Sequence, residues 1–161
     1  MALSKTEIKA DYPLPVYNYK VTINSTTLGF SEISGLSVEY EPVTYKHGMS
    51  FCMGAKIIRG MHQPIRLTMK KGVFKNQDGA AGFLATWFQD AYDNAKQFQN
   101  AKKDILIDLC DESGTPLVRW NVQGALPVKL DAPAFSAESN DVAIESMELV
   151  AHDIRVDYLL K

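Results

Sequence analysis

Residues 104–123, DILIDLCDESGTPLVRWNVQ, decide the fold. Ile105, Ile107 and Leu109 alternate along one side of the first half. Val118, Trp120 and Val122 do the same in the second. Between them, DESGTP (111–116) holds the residue types that reverse a chain. Two alternating runs joined by such a turn predict a β-hairpin. Leu106 and Cys110 oppose the inward set, so the second face also needs cover, from a helix or from another subunit.

Working outward, residues 16–23 (VYNYKVTI) alternate through Tyr17, Tyr19, Val21 and Ile23 and predict a strand. NSTTLG (24–29) makes a turn. A second strand is expected over 36–45, with Leu36, Val38 and Tyr40 on one side, Glu39 and Glu41 on the other, and Pro42 at an edge or bulge. Strand alternation returns over 63–71 through Ile65, Leu67 and Met69. Residues 124–135 hold Gly124, Pro127 and Pro133 and predict a bent connection. Residues 141–160 read as two further strands, with Ile154, Val156 and Tyr158 alternating against Arg155 and Asp157.

One helix is expected over 79–99, capped by Asp78. Its stripe is Phe83, Leu84, Trp87, Phe88, Ala91, Tyr92, Ala95 and Phe98, wide enough to cover one end of a sheet. The count is about seven strands and one helix. The fold class is mainly β with one flanking α-helix, an antiparallel barrel or sandwich. With 161 residues the chain is read as a single domain, 1–161. Pro13 and Pro15 hold residues 1–15 as an extended N-terminal arm.

Residues 46–62, KHGMSFCMGAKIIRGMH, differ from the rest. Glycines fall at 48, 54 and 60 and methionines at 49, 53 and 61. Glycine frees the backbone and methionine packs on irregular surfaces, so this is a long loop or extended hairpin reaching away from the core. Its candidate contact residues are His47, Gly48, Met49, Phe51, Met53, Gly54, Lys56, Ile57, Arg59 and Met61. No acid occurs between Glu41 and Asp78, where seven bases lie: Lys46, Lys56, Arg59, Arg66, Lys70, Lys71 and Lys75. That pattern suggests a positive arm or face complementary to an acidic remainder of another copy.

Little points to chemistry. His47, Cys52 and His62 match no zinc spacing. His152 beside Asp153 lacks a nucleophile, and strand spacing puts Glu145 and Glu148 on opposite faces. No phosphate-loop spacing occurs. The reading is therefore no enzyme, no metal and no cofactor. The net charge of −2 argues against a generic nucleic-acid binder. No apolar run approaches the roughly 18 residues that cross a bilayer, and the N-terminus reads as no secretory signal, so folding in a cytoplasm is expected. Cys52 and Cys110 read as two free, mostly buried thiols.

Five segments carry a resemblance, in order along nearly the whole chain. They are YPLPVYNYKVTI (12–23), GFSEISGL (29–36) running on to Tyr45 and Gly48, IRLTMKKGVF (65–74) with the following helix and Trp87, the hairpin 104–130 with Trp120, Pro127 and Lys129, and SNDVAIESMELVAHD (139–153). Together they resemble the contractile tail-tube family, closest to inner-tube subunits of phage-like extracellular contractile injection particles. The resemblance implies a ring-forming barrel or sandwich flanked by a helix. It implies a homo-hexamer whose rings stack into a hollow tube inside a contractile sheath, with sheath, baseplate, spike and tube-initiator proteins as partners. It implies cargo protein or DNA in the lumen, assembly in a bacterial cytoplasm, and release as part of a particle or virion. Residues 46–62 would be the inter-subunit loop. Two departures stand out: Arg59-Gly60-Met61-His62 replaces the family's proline-glycine near the loop end, and region 76–100 is longer than in the shortest members. The second leaves a baseplate-proximal ring open beside the main tube subunit. The alternatives are the DNA-conducting tail tube of a true contractile phage, and a monomeric β-barrel binding module using Tyr17, Tyr19 and Trp120.

Overall fold

A computed structural model describes residues 13–75, 82–93 and 101–159. The strands are β1 (Tyr19–Ile23), β2 (Thr26–Leu28), β3 (Glu32–Ser34), β4 (Tyr40–Tyr45), β5 (Lys56–His62), β6 (Ile65–Gly72), β7 (Lys103–Cys110), β8 (Pro116–Asp131), β9 (Ile144–Ala151) and β10 (Asp153–Tyr158). A one-turn helix, α1 (Ser50–Met53), and a longer helix, α2 (Phe83–Asp93), complete the described elements.

β8 organises the molecule. β9 and β10 run antiparallel along one edge of it in a single register, from Tyr158 opposite Val118 to Asp153 opposite Gln123, then from Val150 opposite Leu126. A break falls at His152 and Gly124, and beyond Pro127 the register shifts by one. Gly124 adopts a φ of 62°, a conformation that side chains resist, and the His152 amide donates to the Gln123 carbonyl across the break (2.9 Å). There the sheet folds over. One half runs β2-β1-β7-β8-β10 and the other β8-β9-β6-β3. The core fills the space between them: Val21, Ile23, Ile105, Ile107 and Val122 from one half meet Ile65, Leu67, Met69, Met147 and Leu149 from the other. α2 adds Leu84 and Trp87, and the buried Trp87 Nε1–H donates to the Ala101 carbonyl (2.8 Å). The Tyr92 hydroxyl ties the same helix to the Pro127 carbonyl (2.8 Å).

The expected fold class holds: mainly β, antiparallel, with a flanking helix. The sandwich does not close into a barrel within one chain. Ten strands occur among the described residues, against about seven expected. The three additions are β2 and β3, each three residues long, and β5 inside the glycine-rich stretch. β2 follows a turn in which Asn24 and Ser25 both take positive φ, as a tight two-residue hairpin requires.

Other expectations are corrected. The strand expected from 36 starts only at Tyr40, because Gly35 (φ 86°) and the Ser37 amide bonding back to its carbonyl (2.8 Å) turn the chain first. The bent connection expected at 124–135 is strand as far as Asp131. It bends at Gly124, and a register shift between Pro127 and Lys129 accommodates the proline. Cys110 is buried as expected, whereas Cys52 is exposed. Asp78, Ala95, Phe98 and most of the N-terminal arm lie outside the described residues.

Candidate assembly interface

β4 and β5 form a two-stranded sheet of their own, paired with neither half of the sandwich. The arm they make is anchored at its root. Gly35 lies so close to β6 that an added Cβ would stand 2.2 Å from the Arg66 carbonyl oxygen. The Gln63 amide donates to the Glu39 carbonyl (2.9 Å), and Tyr40 meets His62 edge to face. Arg59 lies over the Tyr40 ring, 4.6 Å from its centre. A register shift between Tyr40 and Pro42 sits opposite Gly60, so the proline does stand at a bulge. A shallow cavity of about 370 Å³, lined by Ser37, Glu39, Gln63, Pro64 and Arg66, opens beside the root.

The tip is held by hydrogen bonds within its own residues. The Ser50 amide donates to the His47 carbonyl (2.8 Å), and the Ser50 hydroxyl accepts from the His47 amide (2.7 Å). His47 Nδ1 accepts from the Met49 amide (3.2 Å). α1 then ends at Gly54 (φ 76°), whose amide returns to the Ser50 carbonyl (2.9 Å).

All ten contact residues expected from the sequence fall on this arm. His47, Gly48 and Met49 shape the tip; Phe51 and Met53 ride α1; Gly54 ends it; Lys56, Ile57, Arg59 and Met61 lie along β5. The sequence reading missed Tyr40, Val43, Tyr45 and Ile58. Val43 and Tyr45 alternate along β4 as core residues would, yet all four are exposed. No side chain of β4, α1 or β5 is buried. Registration puts Val43 beside Ile58 and Tyr45 beside Lys56 on one face, with Ile57 and Arg59 on the other. Both faces are thus apolar and wet, and Phe51 is 85% exposed. Two-stranded hairpins are marginal alone in water. Covering a side chain such as Ile57 or Phe51 is worth about 1.5–3 kcal/mol. The arm thus leaves apolar side chains of both its faces in water.

The seven bases do not form one patch. Lys46, Lys56 and Arg59 belong to the arm, while Lys70 on β6 pairs with Glu32 (2.8 Å). Lys71 continues the inward face of β6, buried, across from Glu145 and beneath Phe74 (5.1 Å). Burial pushes the Glu145 carboxyl up, and Lys71 partly offsets it.

The residues tested for chemistry are scattered. His47 and His62 stand at opposite ends of the arm, and no metal-holding cluster occurs among the described residues. His152 serves the bend, and the Asp153 carboxylate accepts from the Ile154 amide (2.9 Å). Glu145 faces Lys71, whereas Glu148 approaches Lys129 (3.7 Å). Tyr17 is exposed, while Tyr19 and Trp120 pack against the core, so they form no concave aromatic site. No helix among the described residues is long and apolar enough to cross a membrane.

A β-sandwich whose β2, β3 and β10 each pair on one side only, and which carries an uncovered apolar arm, is suited to assembly with copies of itself or with partners. The chain belongs to the T4-like virus tail tube protein gp19 family, whose model matches residues 15–155. It is thus a structural tail tube protein. A chain of the PVC sheath–tube complex, an extracellular contractile injection system in the extended state, is similar at 31% identity with a TM-score of 0.85, over 98% of this chain and 100% of that one. A chain of the anti-feeding prophage cap, which terminates the AFP tube, is 31% identical (TM-score 0.80, 92% of this chain and 93% of that one). A chain of the PVC sheath/tube terminator is 32% identical (TM-score 0.79, 91% and 98%). Comparison with curated proteins gives no match.

Proposed function

We propose that this chain is the repeating inner-tube subunit of a phage-like contractile injection particle. Copies close into hexameric rings, and the rings stack into a hollow tube inside a contractile sheath. A closed ring needs one heterologous contact and stacking needs a second, so each copy requires two pairs of complementary surfaces. Residues 46–62 supply part of both, with His47 to Met61 as contact residues. The tube is assembled in the bacterial cytoplasm on a baseplate, spike and initiator, and delivers cargo into a target cell by being driven outward. That role requires no covalent chemistry, metal or cofactor.

The arm carries this reading: its two faces are apolar and none of its side chains is buried by its own chain. A tube subunit is favoured over a terminating ring because the sheath–tube chain is matched over its entire length. The test is negative-stain electron microscopy of the purified chain and of a variant in which residues 46–62 are replaced by a short turn. The expected result is rings or hollow tubes from the parent and a folded monomer from the variant. Normal tubes from the variant would overturn the role of the arm. A uniform monomer from the parent at every concentration and salt would overturn self-assembly of the isolated chain.

A further inference from the structure

The outer face of the β2-β1-β7-β8-β10 half carries a line of charge. Lys20 on β1 is registered with Asp108 on β7, Asp108 with Arg119 on β8, and Arg119 with Asp157 on β10. Across four strands the line reads plus, minus, plus, minus. Its middle is closed: Arg119 donates to both oxygens of the buried Asp108 carboxylate, at 2.6 and 2.8 Å. A bidentate pair of this kind is rigid as well as strong. Its ends are open. Lys20 and Asp157 are exposed, and neither forms an ion pair with a described residue. The next cation along β10, Arg155, is already engaged by Asp153 (3.6 Å).

The two ends of the line also lie at opposite edges of the half-sheet. β10 has no strand on its outer side, and beyond β1 lies only the short β2. In the Lys20 row, the position following β2 is Gly29, which offers no side chain and has open space around it. A second copy laid edge to edge would therefore bring a positive end toward a negative end with nothing between. Adjacent strands lie about 4.8 Å apart, so one interposed strand leaves about 10 Å between the Lys20 and Asp157 backbones. The long lysine stem and the short aspartate together span that gap.

We propose that Lys20 of one copy pairs with Asp157 of the next, docking the β2 edge of one against the β10 edge of its neighbour and continuing the alternation across the junction. This rests on the tube reading above and specifies one of its two contacts. The row also selects against the wrong contact. Antiparallel pairing of two β10 edges centred on Arg155 would set Asp157 against Asp153, and like charges directly opposite are unfavourable. The geometry thus favours head-to-tail addition, the kind that closes a ring.

The test uses two single variants, K20E and D157K, and their mixture. Each substitution sits on an exposed side chain, and melting curves check that both variants fold as the parent does. Sedimentation velocity and negative-stain microscopy then read assembly. Either variant alone places like charges at every junction, and assembly should require at least about tenfold more protein than the parent. An equimolar mixture should recover assembly, because alternating copies restore opposite charges at every junction of an even-membered ring. Single variants that assemble like the parent, or a mixture no better than its components, would overturn the pairing while leaving the tube reading intact. A parent that forms no ring or tube would overturn self-assembly of the isolated chain, and with it a pairing strong enough to join copies unaided.

Discussion

Gly60 and Glu41 touch backbone to backbone: a Cβ on Gly60 would stand 2.1 Å from the Glu41 carbonyl oxygen. That contact sits beside the bulge that lets β4 and β5 pair out to the tip. Gly60→Ala should disturb the arm without entering the core. The expected outcome is a melting temperature within about 2 °C of the parent, since the arm adds little to the sandwich, together with loss of tubes. Calorimetry and electron microscopy on the same sample check both halves. A large fall in melting temperature would show the arm to be part of the folding unit.

Gly35→Ala should behave oppositely. The position combines a φ of 86° with the 2.2 Å approach to the Arg66 carbonyl, and it fixes where the chain leaves the core. The conformation alone costs a side chain about 1–2 kcal/mol, and the clash adds to it. Denaturant unfolding should show a loss of at least about 2 kcal/mol with an unchanged slope.

Trp87→Phe keeps most of the buried ring and removes the hydrogen bond to the Ala101 carbonyl. A loss of about 1–3 kcal/mol is expected from the unpaired carbonyl and the small void. For a chain this size that corresponds to roughly 2–10 °C. A change below 1 °C would mean that the helix contributes little to stability.

The turn between β7 and β8 predicts a pH dependence. The Asp111 carboxylate accepts from the Ser113 hydroxyl and from the amides of Ser113 and Thr115, which hold it below the usual carboxylate range. A depressed folded-state value stabilises the protein above the ordinary carboxylate value of about 3.9 and loses that contribution as pH falls through the folded value. Asp111→Ala should therefore melt below the parent at neutral pH, and the gap should close in strong acid. Parallel melting curves between pH 7 and pH 2 would show it, and a gap independent of pH would refute it.

At the arm tip, Phe51→Ser with Met53→Ser removes the most exposed apolar groups of α1 and touches no core residue. Unchanged or slightly raised stability is expected, with solubility up and assembly down. Tubes of normal yield would remove the tip from the set of contacts.

Much of the sandwich was legible in the sequence because its strands alternate against a core. Ile105 and Ile107 are buried where the period of two places them, and Leu84 and Trp87 where the helical period does. The arm was legible in outline, from glycines at 48, 54 and 60 and the absence of acid. Its first strand was legible as a strand but its exposure was not, since Val43 and Tyr45 alternate as core residues would and only the three-dimensional chain path shows that nothing in the chain covers them. The long β8 was hidden by Gly124 and Pro127, which normally end strands and here bend one. The charge row from Lys20 to Asp157 is invisible in one dimension. Its four members come from four strands spread over most of the chain, and only their registration sets them in line.

The arm hides none of its own side chains, and that sets the economy of the free chain. A solitary copy exposes an oily, strand-edged antenna to water, so its concentration must stay low or its encounters must be productive. On the proposed docking, a growing end would cover the antenna of each arrival, so starting a tube would be slower than extending one and the number of tubes would follow the number of starting points.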